Sequence, residues 1–218
     1  ASDVYKRQAI REGERIAVYG DFDTDGVTAT ALLVEVLSAL GARVEPYIPH
    51  RVDEGYGLHL EALRTLYRRG VRVVVTVDCG IRSCNEVKQA SQGLTMIVTD
   101  HHSVGDDLAP AAAVINPKQP GCPYPFKKLS GVGVAFKLAQ GLLRAEGRAK
   151  GAVALDEESL LDLVALGTVG DMALLIGENR FYVRFGLKKM TKTPRPGLAA
   201  LMEVAGCRDR TITPWEIS

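Results

Sequence analysis

The chain offers oxygen and imidazole donors in a pattern that suits a divalent cation. Asp21-Phe22-Asp23-Thr24-Asp25-Gly26 alternates carboxylates ahead of a glycine, Asp78 precedes Cys79-Gly80, and Asp100 precedes the pair His101-His102. Each group follows a hydrophobic run: Ile16-Ala17-Val18-Tyr19-Gly20, Val73-Val74-Val75-Thr76-Val77 and Met96-Ile97-Val98-Thr99. The carboxyl ends of parallel strands line one crevice. Carboxylates gathered there without a cation would repel one another and raise each other's pKa. A bound divalent metal is the expected reason for their company.

Each group also has a plainer reading. Asp and Gly are common in turns, so the loop over 21–26 and the Asp78-Cys79-Gly80 step also read as turns. The D-x-D-x-D-G spacing opens an EF-hand loop, but that loop needs a Glu six residues after the glycine and a helix before it. Position 32 is Leu32, and a strand precedes the loop. The adjacent histidines cannot both be core residues at a strand end, because successive side chains point to opposite faces. One is expected to bind metal, the other to face a substrate phosphate or orient a ligand. Asp171, in Gly167-Thr168-Val169-Gly170-Asp171-Met172-Ala173, follows an apolar helix and on its own reads as a helix-end polar residue.

Alternating strands and helices must position these groups. The pattern predicts strands at 15–20, 43–48, 71–77, 95–99 and 112–115, with helices at 27–40, 58–69 and 85–92 between them. Gly41, Gly70 and Gly93 serve as helix stops. The β-branched run from Val71 to Val77 reads as a strand buried on both faces. This order predicts an α/β fold, a doubly wound and mainly parallel sheet flanked by helices. Residues 1–8 carry no period and read as a tail. Residues 9–116 form the α/β core. Residues 117–218 begin with the proline-rich connector Pro117 to Pro125 and continue as a mostly helical segment carrying Asp171. Helices are expected there at 131–146, 157–168, 179–190 and 196–205, with a loop at 147–156. Thr213-Pro214 reads as the start of a further helix, and the chain is expected to be a fragment.

Composition narrows the function classes. The 218 residues are 46% hydrophobic, and their formal net charge is +1, so the chain does not coat nucleic acid by bulk charge. No apolar run approaches the roughly 20 residues that span a bilayer. The four cysteines Cys79, Cys84, Cys122 and Cys207 form no C-x-x-C pair, which fits reduced thiols and a cytoplasmic location. Aromatics are 6% of the chain and no basic–aromatic cluster stands out. Long DNA is therefore expected to be held poorly.

Taken together, Gly20-Asp21-Phe22-Asp23-Thr24-Asp25-Gly26-Val27-Thr28, Val75-Thr76-Val77-Asp78-Cys79-Gly80-Ile81 and Val98-Thr99-Asp100-His101-His102 resemble the DHH phosphoesterase superfamily. Asp53-Glu54-Gly55-Tyr56-Gly57-Leu58, Ile115-Asn116-Pro117, Leu129-Ser130-Gly131-Val132-Gly133-Val134-Ala135-Phe136 and the run from Leu161 to Val169 narrow the resemblance to the RecJ family of single-strand-specific exonucleases. The resemblance covers nearly the whole chain from Arg15. It implies metal ligands Asp23, Asp25, Asp78, His101 and Asp171, with Asp78 shared by two ions, and catalytic roles for Asp78, His101 and His102. It leaves Asp21 to support the loop. It implies Mn²⁺ or Mg²⁺, which oxygen-rich ligands with imidazole also favour. It further implies 5′→3′ digestion of single-stranded DNA in repair and recombination, and cooperation with a single-strand-binding protein or a helicase. Arg51, Asn116 and Arg180 are candidate substrate contacts, beside the basic residues Lys118, Lys127 and Lys128.

Two positions depart from the family pattern. Tyr19 stands where many members have a histidine four residues before the first ligand, and Gly170 stands where an alanine is usual. The family's downstream DHH-associated and OB-fold domains are not in the sequence. The rival reading is a small-substrate phosphoesterase of the same superfamily, acting on oligoribonucleotides, cyclic dinucleotides or pyrophosphate. A non-catalytic scaffold is the third, disfavoured because the core ligands are all present.

Overall fold

The computed structural model describes residues 13–150, 155–192, 194–208 and 210–218, and side chains other than those of 146–150. The expected tail at 1–8 lies outside the described residues, as do positions 151–154 of the expected loop. Five strands, β1 (Arg15–Tyr19), β2 (Arg43–Tyr47), β3 (Val71–Val77), β4 (Thr95–Thr99) and β5 (Ala113–Ile115), pair in the order β2-β1-β3-β4-β5. Every pairing is parallel. Pro46 sits in β2, an edge strand, where a missing N–H breaks no interior ladder.

Alternation along the strands feeds two cores. Ile16, Val18, Val73, Val75 and Val77 face one side, where they meet α1 (Thr24–Ala39), α4 (Gly131–Lys150) and α5 (Leu161–Gly170). Ala17, Tyr19, Val74, Met96 and Val98 face the other, under α2 (Leu60–Arg68) and α3 (Cys84–Ala90). With apolar side chains on both faces, the central strands read as near-continuous hydrophobic runs. A third cluster joins α5 to α6 (Gly177–Lys192) and α7 (Pro196–Val204) through Ala165, Val183, Leu187, Leu198 and Met202. A last short helix, α8 (Pro214–Ile217), starts with Thr213 and Glu216 in a capping box. Among the described residues no helix is long and apolar enough to cross a membrane.

Two boundaries move in ways that matter. Helix α1 starts at Thr24, three residues before the expected Val27, because the Asp23 side chain caps it by accepting from Gly26 N at 2.8 Å. Asp25 therefore belongs to a rigid first turn and not to an open loop. Helix α4 continues through Gly147 to Lys150, into the segment expected as loop. The expected helix at 157–168 is a 3₁₀ turn over Glu157–Leu160 followed by α5.

Candidate metal centre

The sheet topology brings every candidate ligand to the carboxyl edge of β1, β3 and β4, where the first turn of α1 and the end of α5 close over it. The ligand atoms of Asp25, His101 and Asp171 lie within 4.8 Å of one another, as do those of Asp21, Asp23 and Asp78, and those of Asp78, His101 and His102. The expected ligand set, drawn from positions 23 to 171, is thus assembled in one place. Asp21 lies nearer to it than a purely supporting residue needs to.

Asp25 is fully buried, and both its oxygens are held by the N-terminus of α4: Gly131 N donates to Oδ2 at 2.6 Å and Val132 N to Oδ1 at 2.7 Å. A helix N-terminus favours negative charge. Gly131 is a close approach that no other residue would permit, since a Cβ there would lie 2.4 Å from Asp78 Oδ1. Asp78 ends β3 in the left-handed region at φ 61°, a conformation costly for a non-glycine residue. The turn that holds it is pinned by Thr76, whose hydroxyl donates to Cys79 O at 2.8 Å, and by Thr99, whose hydroxyl donates to Thr76 O at 2.5 Å. The Cys79 thiol points to Tyr19 O, away from the ligands.

The histidines are oriented by different partners. His101 Nδ1 lies 3.1 Å from the Leu129 carbonyl. A carbonyl only accepts, so Nδ1 carries the proton and Nε2 keeps its lone pair. That Nε2 faces Asp78 Oδ1 at 3.1 Å. Both atoms are buried and neither has a hydrogen-bond donor. With Asp78 ionised these are two acceptors facing each other, which need a proton or a cation between them, and this fits the residues to a metal ion. His102 Nδ1 donates to Asp100 Oδ1 at 2.8 Å and leaves its other nitrogen free on a half-exposed ring. Asp100 also accepts from the backbone of Ile81, His101 and His102.

The electrostatics divide the carboxylates into two kinds. Burial pushes Asp25 well above the usual carboxylate range, and Asp78 beside it adds to the shift. Burial, then Asp23, raises Asp78 to about 9. Burial also raises Asp171. Asp100 behaves oppositely: burial would raise it, but the hydrogen bonds from His102 and the backbone outweigh this and hold it low. The same Asp100 bond raises His102. A cation would reverse the upward shifts of the ligand carboxylates.

The other candidates divide. The Arg51 guanidinium stacks 4.5 Å over the Phe22 ring, and its charge is felt at Asp21. Asn116 is buried, its Nδ2 donates to His102 O at 2.9 Å, and its Oδ1 accepts from Lys118 N at 2.8 Å, which ties it to the segment carrying His102. Arg180 is exposed on the first turn of α6, with no described bond tying it to the cluster. Tyr19 is fully buried and donates to Gly57 O at 3.2 Å, so its phenol turns away from the ligand position. Gly170 fits its neighbour, because a Cβ there would come within 2.7 Å of Thr24 Cγ2. The sequence reading missed Asp100 and Leu129 as orienting groups. Asp100 carried a signal, its place directly before the histidines; a backbone carbonyl carries none.

These features place a cluster of carboxylates and histidines that could hold metal ions at the carboxyl edge of a parallel sheet, and the chain belongs to the DHH family: the model described as "DHH family, N-terminal domain" matches residues 15–168. Among curated proteins it is similar to the single-stranded-DNA-specific exonuclease RecJ of Bacillus subtilis, 46% identical over 92% of this chain and 24% of the relative. The RecJ of Escherichia coli is 45% identical over 90% of this chain and 36% of the relative. Among solved structures, an exonuclease RecJ bound to manganese superposes with a TM-score of 0.85 at 37% identity, over 99% of this chain and 53% of that one. RecJ from Thermus thermophilus in complex with Mn²⁺ gives 0.80 at 35% identity, over 99% of this chain and 30% of that one. The chain thus spans only about a quarter to a third of the length of these curated relatives.

Proposed function

We propose that this chain is the catalytic part of a single-stranded-DNA-specific exonuclease of RecJ type, hydrolysing phosphodiester bonds from the 5′ end with two Mn²⁺ or Mg²⁺ ions. The observation that carries the reading is the buried pair Asp78 Oδ1 and His101 Nε2, two acceptors face to face in a ring of carboxylates. Asp25, His101 and Asp171 would hold one ion and Asp23 and Asp78 the other, with Asp78 near enough to His101 to serve both. Bound ions of this kind activate water and neutralise phosphate charge. The chain's own groups do the rest. Leu129 and Asp100 fix the two imidazole tautomers. Asp100 holds the Nδ1–H of His102 and raises its pKa, so in the doubly protonated form the exposed Nε2–H can donate to a substrate phosphate oxygen. Arg51, braced on Phe22, presents a guanidinium for the same phosphate.

The RecJ relatives named above and the matching Mn²⁺-bound structures support this reading. A cytoplasmic setting and cooperation with a single-strand-binding protein or a helicase belong to the same proposal, and the four unpaired cysteines suit a reducing compartment. The test is digestion of 5′-labelled single-stranded DNA and of the matching duplex with Mn²⁺ present. Mononucleotide release from the single strand alone is expected. Equal attack on the duplex, or hydrolysis confined to dinucleotides, would contradict the assignment.

A further inference from the structure

The metal cluster is acidic, and a DNA strand needs cations to hold it. Helix α6 has the arrangement the cluster lacks. It carries Arg180, Arg184, Lys188, Lys189 and Lys192 against a single carboxylate, Glu178. That acid is already engaged by Tyr124, Tyr182 and Lys137. Among the described residues none of the five cations is in an ion pair with a carboxylate.

The helical period sorts these residues. Tyr182, Val183, Leu187 and Met190 are buried, which leaves Phe181, Arg184, Phe185, Lys188 and Lys192 on one outward stripe. Phe181 is 54% exposed and Phe185 42%, with ring centroids 4.5 Å apart. Arg184, Lys188 and Lys192 line a hollow of about 440 Å³ between α6 and residues 211–214, with no carboxylate in its lining. On the opposite flank Asp156 and Glu158 share a hollow with Phe185, Lys188 and Lys192, so an anion is favoured on the Arg184 side.

Exposed aromatic rings next to a row of unpaired cations match the needs of one ligand chemistry. Single-stranded nucleic acid is held by a positive groove along its backbone and by aromatic faces for its bases. A duplex keeps its base faces stacked inside and cannot use the rings. We propose that the outer face of α6 is a holding surface for single-stranded DNA, with phosphates along Arg184, Lys188 and Lys192 and bases on Phe181 and Phe185. The stripe runs about 16 Å from Phe181 to Lys192 at helical rise, enough for a short run of nucleotides. Helix α6 begins at Gly177, six residues after Asp171 in the chain. The identity of the strand as DNA rests on the nuclease reading above.

The test is fluorescence anisotropy of a labelled oligothymidylate without divalent metal, across a salt series. Two variants are compared with the parent chain: Arg184→Ala/Lys188→Ala/Lys192→Ala, and Phe181→Ala/Phe185→Ala. The triple variant should weaken binding at least tenfold and lower the log–log salt slope by about 2, since each phosphate contact on a single strand contributes roughly 0.7. The double variant should weaken single-strand binding about tenfold or more, leaving the salt slope and duplex binding unchanged. Circular dichroism and Mn²⁺-dependent hydrolysis of a small aryl phosphodiester should be unaltered in both, which separates this surface from the fold and the metal site. Oligothymidylate binding that survives both variants would overturn the proposal, including the outcome in which they alter only self-association. Failure of the parent chain to hydrolyse the small diester would instead count against the nuclease reading.

Discussion

Asp162 and Asp78 are both buried aspartates, and the structure treats them in opposite ways. Asp162 is closed from within. Arg195 Nε reaches its two oxygens at 3.0 and 2.9 Å, Leu163 N donates at 2.9 Å, and the same guanidinium extends to Glu35 and to Ser159 O. Asp78 is as deeply buried, yet its Oδ1 has no donor and its neighbours are Asp23, Asp25 and the unprotonated nitrogen of His101. Burying a charge without a partner costs several kcal/mol. Where the acid is structural, the chain supplies an arginine. At the carboxyl edge of the sheet it supplies more acids, which must either keep their protons or take a positive charge from solution.

That contrast can be broken at either end. The largest expected effect is on activity at Asp78. Asp78→Ala removes the carboxylate proposed to serve both ions, and hydrolysis should fall by more than about a thousandfold, as expected for several kcal/mol of lost charge stabilisation. Thermal unfolding of the metal-free protein should hardly change or should shift upward, because a strained and crowded acid has gone. Near-normal turnover in steady-state assays would remove Asp78 from the site.

At the other end, Arg195→Met leaves Asp162 buried without its cation. Denaturant titration should show a loss of about 3 kcal/mol, at the low end of the range for broken buried pairs because Arg195 is partly exposed. Mn²⁺ affinity should stay within a few-fold of the parent. A large affinity loss with no stability loss would mean the two acid sites are not separate in kind.

The pH dependence has a definite sign. Asp78 in the fold binds its proton up to about pH 9, well above its ordinary value, and Asp25 and Asp171 are shifted the same way. The folded state therefore holds more protons than the unfolded one, and metal-free stability should decline as pH rises from about 4 towards 9. Unfolding midpoints at pH 5 and pH 8 in the presence of a chelator check this. Stability rising over that window would contradict it.

The smallest predicted difference lies inside the loop. Asp23 both caps α1 and belongs to the proposed ligand set, whereas Asp21 Oδ1 accepts from Phe22 N at 2.7 Å. Asp21→Asn should cost about tenfold less activity than Asp23→Asn, the scale of an outer-shell change. Because Asp21 lies within ligand range of Asp23 and Asp78, equal losses would make it a third ligand there.

Much of this was legible in the sequence because strands write themselves plainly. The run Val71 to Val77 has no polar interruption except Arg72 and Thr76, and its end at Asp78 marks the crevice. The acidic and histidine motifs lie at strand ends, so locating the strands also located the cluster. The capping role of Asp23 was less visible, and α1 consequently begins earlier than its apolar period suggests. Asn116 was legible as a motif residue but not its burial or its bond to His102 O, since a buried amide and an exposed one have the same letter. The α6 stripe escaped for a related reason. Phe181 and Phe185 look like core positions at helical spacing until packing shows that Tyr182, Val183 and Leu187 already fill the inward face.

Calorimetric titration of Mn²⁺ into the chelator-stripped chain near neutral pH tests the central claim most directly, with the Asp78→Ala variant run alongside. The account predicts two ions bound per parent chain, with proton release as the raised carboxylates ionise, and loss of both tight sites in the variant. A parent chain that binds no Mn²⁺, or a variant that binds as well as the parent, would contradict it.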